Sequence, residues 1–198
     1  MNSDKKFFSP DRIASLSDGI FAIAMTILVL NITTPDKELV AKIGLFAALV
    51  EQLQEFYTYF ISFFLLSIFW RIQIKQMSVI DKSNSTSIWL NILLLMFICL
   101  IPFSASLMST YDNNLVSTII FNGNMLIIGL FNFINWHYAT KDHRLVPKEY
   151  SIENIKKGKV NVLIFIFVTI IAIIIGLFTP TYSAITFLLI PVLKSIIK

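Results

Sequence analysis

Arg12, Ser15, Ser17, Asp18, Gly19 and Thr26 stand among the apolar residues of a stretch running from Arg12 to Ile32. A helix of that length can cross a bilayer, and charge inside or beside hydrocarbon is costly enough that its presence points to a job. Two kinds of chemistry suit these residue types. Hydroxyls, a carboxylate and a guanidinium can lock helices together through hydrogen bonds, or a polar stripe can line a path for ions. Wound at ~100° per residue, Ser15, Gly19, Ala22, Thr26 and Thr33 fall on one narrow stripe with Ile23 and Leu30 at its edge. Phe21, Leu28 and Ile32 lie away from its centre. Small residues on a stripe serve close helix packing as well as pore lining, so the stripe alone leaves both open.

Asp18 is the one carboxylate between Arg12 and Asp36. Arg12 and Asp18 are offset by roughly 120° around a helix and do not pair along it, so each needs a partner on another element or water. Asp18 also lies about two turns from the helix start, near an interface. That position favours a polar lock between helices over a deep proton-carrying site.

The elements that must position these residues follow from the apolar blocks. The chain has 198 residues, of which 56% are hydrophobic and 14% charged, too apolar for an ordinary soluble domain. Spanning about 30 Å of hydrocarbon takes roughly 20 helical residues. Six blocks fit that requirement, at about 12–32, 56–74, 88–108, 115–136, 160–178 and 182–197. The expected fold class is therefore all-α: one integral membrane domain over 1–198 with six transmembrane helices per subunit. Met1–Phe8 reads as a short tail without the pattern of a cleavable signal peptide. Ser9-Pro10-Asp11 reads as a helix start, with Ser9 as cap and Pro10 at the first helical position. A second helical stretch is expected from Leu39 to Trp70, polar at its front and membrane-like from Phe56. The sixth block is marginal in length and carries Pro191, which predicts a short or kinked helix.

Charge placement orients the spans. Six crossings put both ends on one side, and of the sixteen Lys and Arg only Lys37 and Lys42 fall on the opposite side. That bias predicts that both termini are cytoplasmic. Asn122, Asn124, Asn132 and Asn135 can join helices, Gly123 and Gly129 permit close helix contact, and Trp89, Trp136 and Tyr138 suit the interfacial belts. His137 and His143 lack a metal-ligand spacing and read as solvated loop residues. Cys99, the single cysteine, reads as a buried structural thiol. With no phosphate loop, nucleophile motif or dinucleotide fingerprint, an enzyme is not expected.

Arg12-x-x-x-Leu16-Ser17-Asp18 resembles the first-helix signature of the transmembrane protein 175 family of potassium channels, an Arg, three residues, then Phe-Ser-Asp. Trp70 stands where that family has Trp-x-x-His, and Asn91 through Pro102-Phe103-Ser104 resembles its Asn…Pro-Phe stretch. Two positions depart from the pattern: Leu16 replaces the Phe, and Gln73 replaces the His, which removes a titratable group. The resemblance implies a homotetramer in the lipid bilayer whose first helices line a central pore. It implies potassium as permeant ion, no other metal, no cofactor and no nucleic-acid partner. Carried onto this chain, it puts a hydrophobic constriction at Ile23, with Thr26 and Leu30 further outward, and a helix-packing set at Arg12, Ser17, Asp18, Trp70, Gln73 and Asn91. A dry apolar collar blocks or slows hydrated ions by dewetting. Since the sequence holds no Thr-Val-Gly-Tyr-Gly-type filter, the preference for potassium over sodium is expected to be modest. The alternative is a secondary transporter with alternating access, although no paired broken helices appear in the two halves.

Overall fold

Pro10 starts the first helix, α1 (Asp11–Leu28), in the computed structural model of the chain. Its carbonyl accepts the amides of Ile13 and Ala14, both at 3.0 Å. Ser9 Oγ accepts the Asp11 amide at 3.3 Å and donates to Asp11 Oδ2 at 2.7 Å. The cap thus falls on Pro10, one residue later than the sequence suggests. The structure describes residues 9–196; the Met1–Phe8 tail with Lys5 and Lys6, and Ile197 and Lys198 at the other end, lie outside that range.

A short 3-10 turn, Val29–Asn31, closes α1. The expected stretch from Leu39 to Trp70 is not one helix. It divides into α2 (Lys37–Ile43), α3 (Leu45–Glu51) and α4 (Leu53–Met77). Asp36 caps α2 by accepting the Glu38 amide at 2.7 Å. Gly44, at φ 84°, then takes the chain out of the right-handed helical region that a Cβ-bearing residue would keep. The next span runs from Ser85 to Thr110 in two pieces, α5 (Ser85–Cys99) and α6 (Ile101–Thr110). Pro102 in the first turn of α6 has no amide to donate back into α5, and the helix re-forms around it. α7 covers Leu115–Thr140 and α8 covers Ile152–Gly176. Lys156, Lys157 and Lys159, which precede the expected block 160–178, are therefore helical. A 3-10 turn (Ser183–Leu188) and α9 (Leu189–Ile196) end the described chain, with Pro191 inside the first turn of α9, where its missing donor is harmless.

Among the described residues five helical stretches are long and apolar enough to cross a membrane: 11–31, 53–77, 85–110, 115–143 and 152–176. A shorter apolar stretch, 183–195, follows. The all-α reading holds, and the chain is a multi-pass membrane protein. Their shared core is aromatic and aliphatic: Phe69 meets Phe165 edge-on with ring centres 4.6 Å apart, and Phe165 stacks on Phe187 at 6.0 Å. α7 packs along α8 and α5, while α1 lies on α4, α5 and α6.

Two sequence expectations on packing fail. Cys99 is exposed on the outside of the bundle, because a membrane helix carries apolar residues on its lipid side too, so hydropathy does not mean burial. Gly123 has open space where a Cβ would stand. Gly129, by contrast, lies so close to Phe165 and Ile166 that a Cβ would meet them at 3.0 Å.

Candidate functional site

α1 is two-faced. Ile13, Ser17, Phe21, Ala24 and Leu28 recur every three or four residues and are buried against the rest of the chain. The other face is bare: Ser15, Gly19, Ala22, Ile23, Thr26 and Leu30 are all exposed, Ile23 by 60% and Leu30 by 76%. The stripe of small and hydroxylated residues, with Ile23 and Leu30 beside it, is thus the face that this chain does not cover. Thr26 Oγ1 donates to the Ile23 carbonyl at 2.8 Å. Its one proton is spent on its own helix, leaving the oxygen lone pairs to face outward as acceptors.

Polar anchors hold α1 at both ends. Near the start, the Trp70 indole N–H donates to Asp18 Oδ1 at 2.9 Å. Gln73, buried one turn further along α4, donates through Nε2 to Asn91 Oδ1 at 3.0 Å and to Ser17 Oγ at 3.4 Å. Ser17 returns its own proton to the Ile13 carbonyl at 2.8 Å. Asn91 Nδ2 donates to the Ser87 carbonyl at 2.8 Å and reaches Asn135 Oδ1 at 3.5 Å. The network therefore runs from α1 through α4 and α5 to α7. Five of the six residues assigned to packing find hydrogen-bond partners here, although the buried Gln73 Oε1 accepts none. Arg12 stands apart. It is exposed beside a groove of about 630 Å³ shared with Ile13, Leu16, Ile88, Ile92 and Leu95, and has no hydrogen-bond or ion-pair partner among the described residues.

The far end of α1 is tied by residues that motif reading missed. Asn31 Nδ2 donates to the Pro102 carbonyl at 3.0 Å. The Thr33 amide donates to Glu55 Oε2 at 2.7 Å, and Thr33 Oγ1 donates to Glu55 Oε1 at 3.2 Å. The available signal is an Asn closing one apolar block and a Glu just before the next. Among the asparagines of α7, Asn122 donates to the Ala172 carbonyl, Asn124 to the Phe97 carbonyl and Asn135 to the Leu90 carbonyl, at 3.2–3.4 Å. Asn124 thereby serves a carbonyl next to the proline break. Asn132 bonds back to Ile128 in its own helix. His137 stacks on Phe133, and His143 Nε2 lies 3.1 Å from the Tyr150 carbonyl. Among the described residues no cluster of His, Cys, Asp or Glu could hold a metal.

This geometry can be set beside known proteins. Residues 12–102 match the family described as "Endosomal/lysosomal potassium channel TMEM175". The chain is 31% identical over 141 residues to "Potassium channel Cha6605_3372" of Chamaesiphon minutus, covering 69% of this chain and 70% of that one. It belongs to this family. "Potassium channel B446_29190" of Streptomyces collinus is 28% identical over 69% of this chain and 68% of its own. An "Endosomal/lysosomal proton channel TMEM175" of Danio rerio is 28% identical over 62% of this chain but 23% of its own. In fold, the chain superposes on the crystal structure of the Chamaesiphon minutus lysosomal potassium-selective channel TMEM175 homolog with a TM-score of 0.82. That match covers 94% of this chain and 96% of the other at 22% identity. Membership in a family named for channels places this chain in a non-enzyme class.

Proposed function

We propose that this family member is the subunit of a potassium-permeable channel in which four copies gather α1 around a common axis. Its place would be a bacterial inner membrane, with both termini in the cytoplasm. The observation that carries the reading is the bare face of α1. Ile23, Thr26 and Leu30 point away from their own chain, while Ser17 and Phe21 turn inward with 1% and 2% exposure. Four copies of Ile23 meeting at the axis would make a dry collar that ions cross only by shedding water. Thr26 oxygens beyond it would replace part of the lost hydration. The groove beside Arg12 would take the neighbouring subunit.

Potassium, the ion in the names of the two bacterial relatives, suits this face better than the proton named for the Danio rerio relative. Past Asp18 the helix carries no titratable side chain up to Leu28, so a relay along it lacks carriers. The test is reconstitution into planar bilayers with potassium-to-sodium reversal potentials, alongside the particle mass. Ile23→Asn is expected to change conductance and Thr26→Ala the ion preference. Currents unchanged by both substitutions would remove these residues from the pore.

A further inference from the structure

α4, α8 and α9 enclose a cleft of about 190 Å³ that the pore does not use. It lies on the side of α4 that presents Phe64, Ile68, Arg71, Ile72 and Lys75, spaced three, four or one apart. α8 contributes Asn161, and α9 contributes Ile190, Pro191 and Lys194. The cleft is far larger than the roughly 10–15 Å³ that one water needs.

Its chemistry is one-sided. Arg71, Lys75 and Lys194 converge on it and no carboxylate lines it. Among the described residues the ion pair lies elsewhere, between Lys157 and Glu153 at 2.9 Å, and none of the three cations has an acidic partner. Three like charges held around a partly buried space repel one another unless an anion enters. Apart from Asn161 the remaining lining is apolar, contributed by α4 and α9. A free anion would leave that part empty, whereas an amphiphile fills both.

We propose that this cleft binds an anionic phospholipid. Its phosphate would sit between Arg71, Lys75 and Lys194, within reach of the Asn161 amide, and an acyl chain would lie against Phe64, Ile68 and Ile190. Guanidinium and ammonium groups are the usual partners of phosphate oxygens, and basic pockets between membrane helices suit anionic headgroups. Lys and Arg stems cover apolar surface while their charged ends reach the interface.

Native mass spectrometry on the full-length protein tests this, titrating palmitoyl-oleoyl phosphatidylglycerol against phosphatidylcholine with the same chains. Phosphatidylglycerol is expected to bind the native chain at least about tenfold more tightly than it binds R71Q/K75Q/K194Q, and about tenfold more tightly than phosphatidylcholine binds. K141Q/K148Q/K156Q, which removes the same charge from exposed positions, should bind like the native chain. Should the cleft triple variant fail to fold, K75Q and K194Q singly are each expected to weaken binding about threefold at unchanged melting temperature. Equal phosphatidylglycerol affinity in native and cleft variants overturns the proposal, as does equal loss in the remote triple variant. So does equal binding of phosphatidylcholine. Displacement of the lipid by millimolar inorganic phosphate would overturn it too, in favour of a free-anion site.

Discussion

The Trp70 indole donates to Asp18 at 2.9 Å while Gln73, one turn along the same helix, reaches Ser17, the residue next to Asp18. Two side chains of α4 thus grip two adjacent residues of α1. Neighbours on a helix point about 100° apart, so the double grip fixes the rotation of α1 about its axis as well as its height. That rotation decides which residues face away from the chain. With Ser17 turned inward, Ile23 and Thr26 must point outward.

Trp70→Phe keeps an aromatic ring, smaller than the indole, and removes the donor. Asp18 is exposed, so its bond to the indole contributes about 1 kcal/mol or less. Trp70→Phe and Asp18→Ala should each lower the melting temperature in detergent by a few degrees, and the double variant should be no worse than the poorer single one. Asp18→Asn keeps a carbonyl acceptor and should melt closer to the native protein. Additive losses in the double variant would mean that the two side chains act separately.

Gln73 is 3% exposed and serves two partners. Gln73→Ala strands Asn91 Oδ1 and opens a void, at an expected cost of about 1–3 kcal/mol. Gln73→Leu fills the space but leaves Asn91 equally unpaired, so it should recover little of the loss. Chemical denaturation in detergent separates the cases: near-native stability of Gln73→Leu would show that packing, not hydrogen bonding, is what Gln73 supplies.

How much of this was legible follows from which forces leave a trace in sequence. Hydropathy marks six apolar blocks because lipid demands runs of apolar residues; five coincide with long apolar helices, and the sixth falls on a 3-10 turn followed by the short helix α9. The anchors Trp70, Gln73 and Asn91 were legible through a resemblance in motif, since nothing in their spacing alone brings α4 and α5 to Ser17. Cys99 was misread because hydropathy cannot tell lipid from core. The division of 37–77 into α2, α3 and α4 rests on the positive φ of Gly44 and the non-helical Gln52, at φ −91° and ψ 6°. Neither has a periodic signature. Asn31 and Glu55 act through tertiary partners that only the packed bundle supplies.

The glycines offer a paired prediction. A Cβ at Gly158 would lie 2.5 Å from Trp136 Nε1, the atom that donates to the Ile155 carbonyl at 3.1 Å. Gly158→Ala should displace the indole and break that bond, costing about 1–3 kcal/mol. Gly123 sits inside α7 with nothing within 4 Å of an added Cβ, so Gly123→Ala should stabilise by roughly 0.5–1 kcal/mol. Tryptophan fluorescence during thermal unfolding reads both changes. Equal melting temperatures for the two variants would contradict the packing described around Trp136.

Gly19 distinguishes the subunit from the assembly. It lies on the bare face of α1, four residues before Ile23, and an added Cβ meets nothing within 4 Å in the single chain. Gly19→Leu should therefore leave the subunit fold intact, and replacing a helical glycine can add roughly 0.5–1 kcal/mol. If copies of α1 surround a common axis, the substitution puts a ring of apolar side chains one turn before the Ile23 collar. A longer dry segment is harder for a hydrated ion to enter, so potassium flux into liposomes should fall by about tenfold or more. Gly19→Ala, which adds one methyl per subunit, should reduce flux much less. Native flux in Gly19→Leu would mean that this face of α1 does not line the conduit, whatever the stability of the protein.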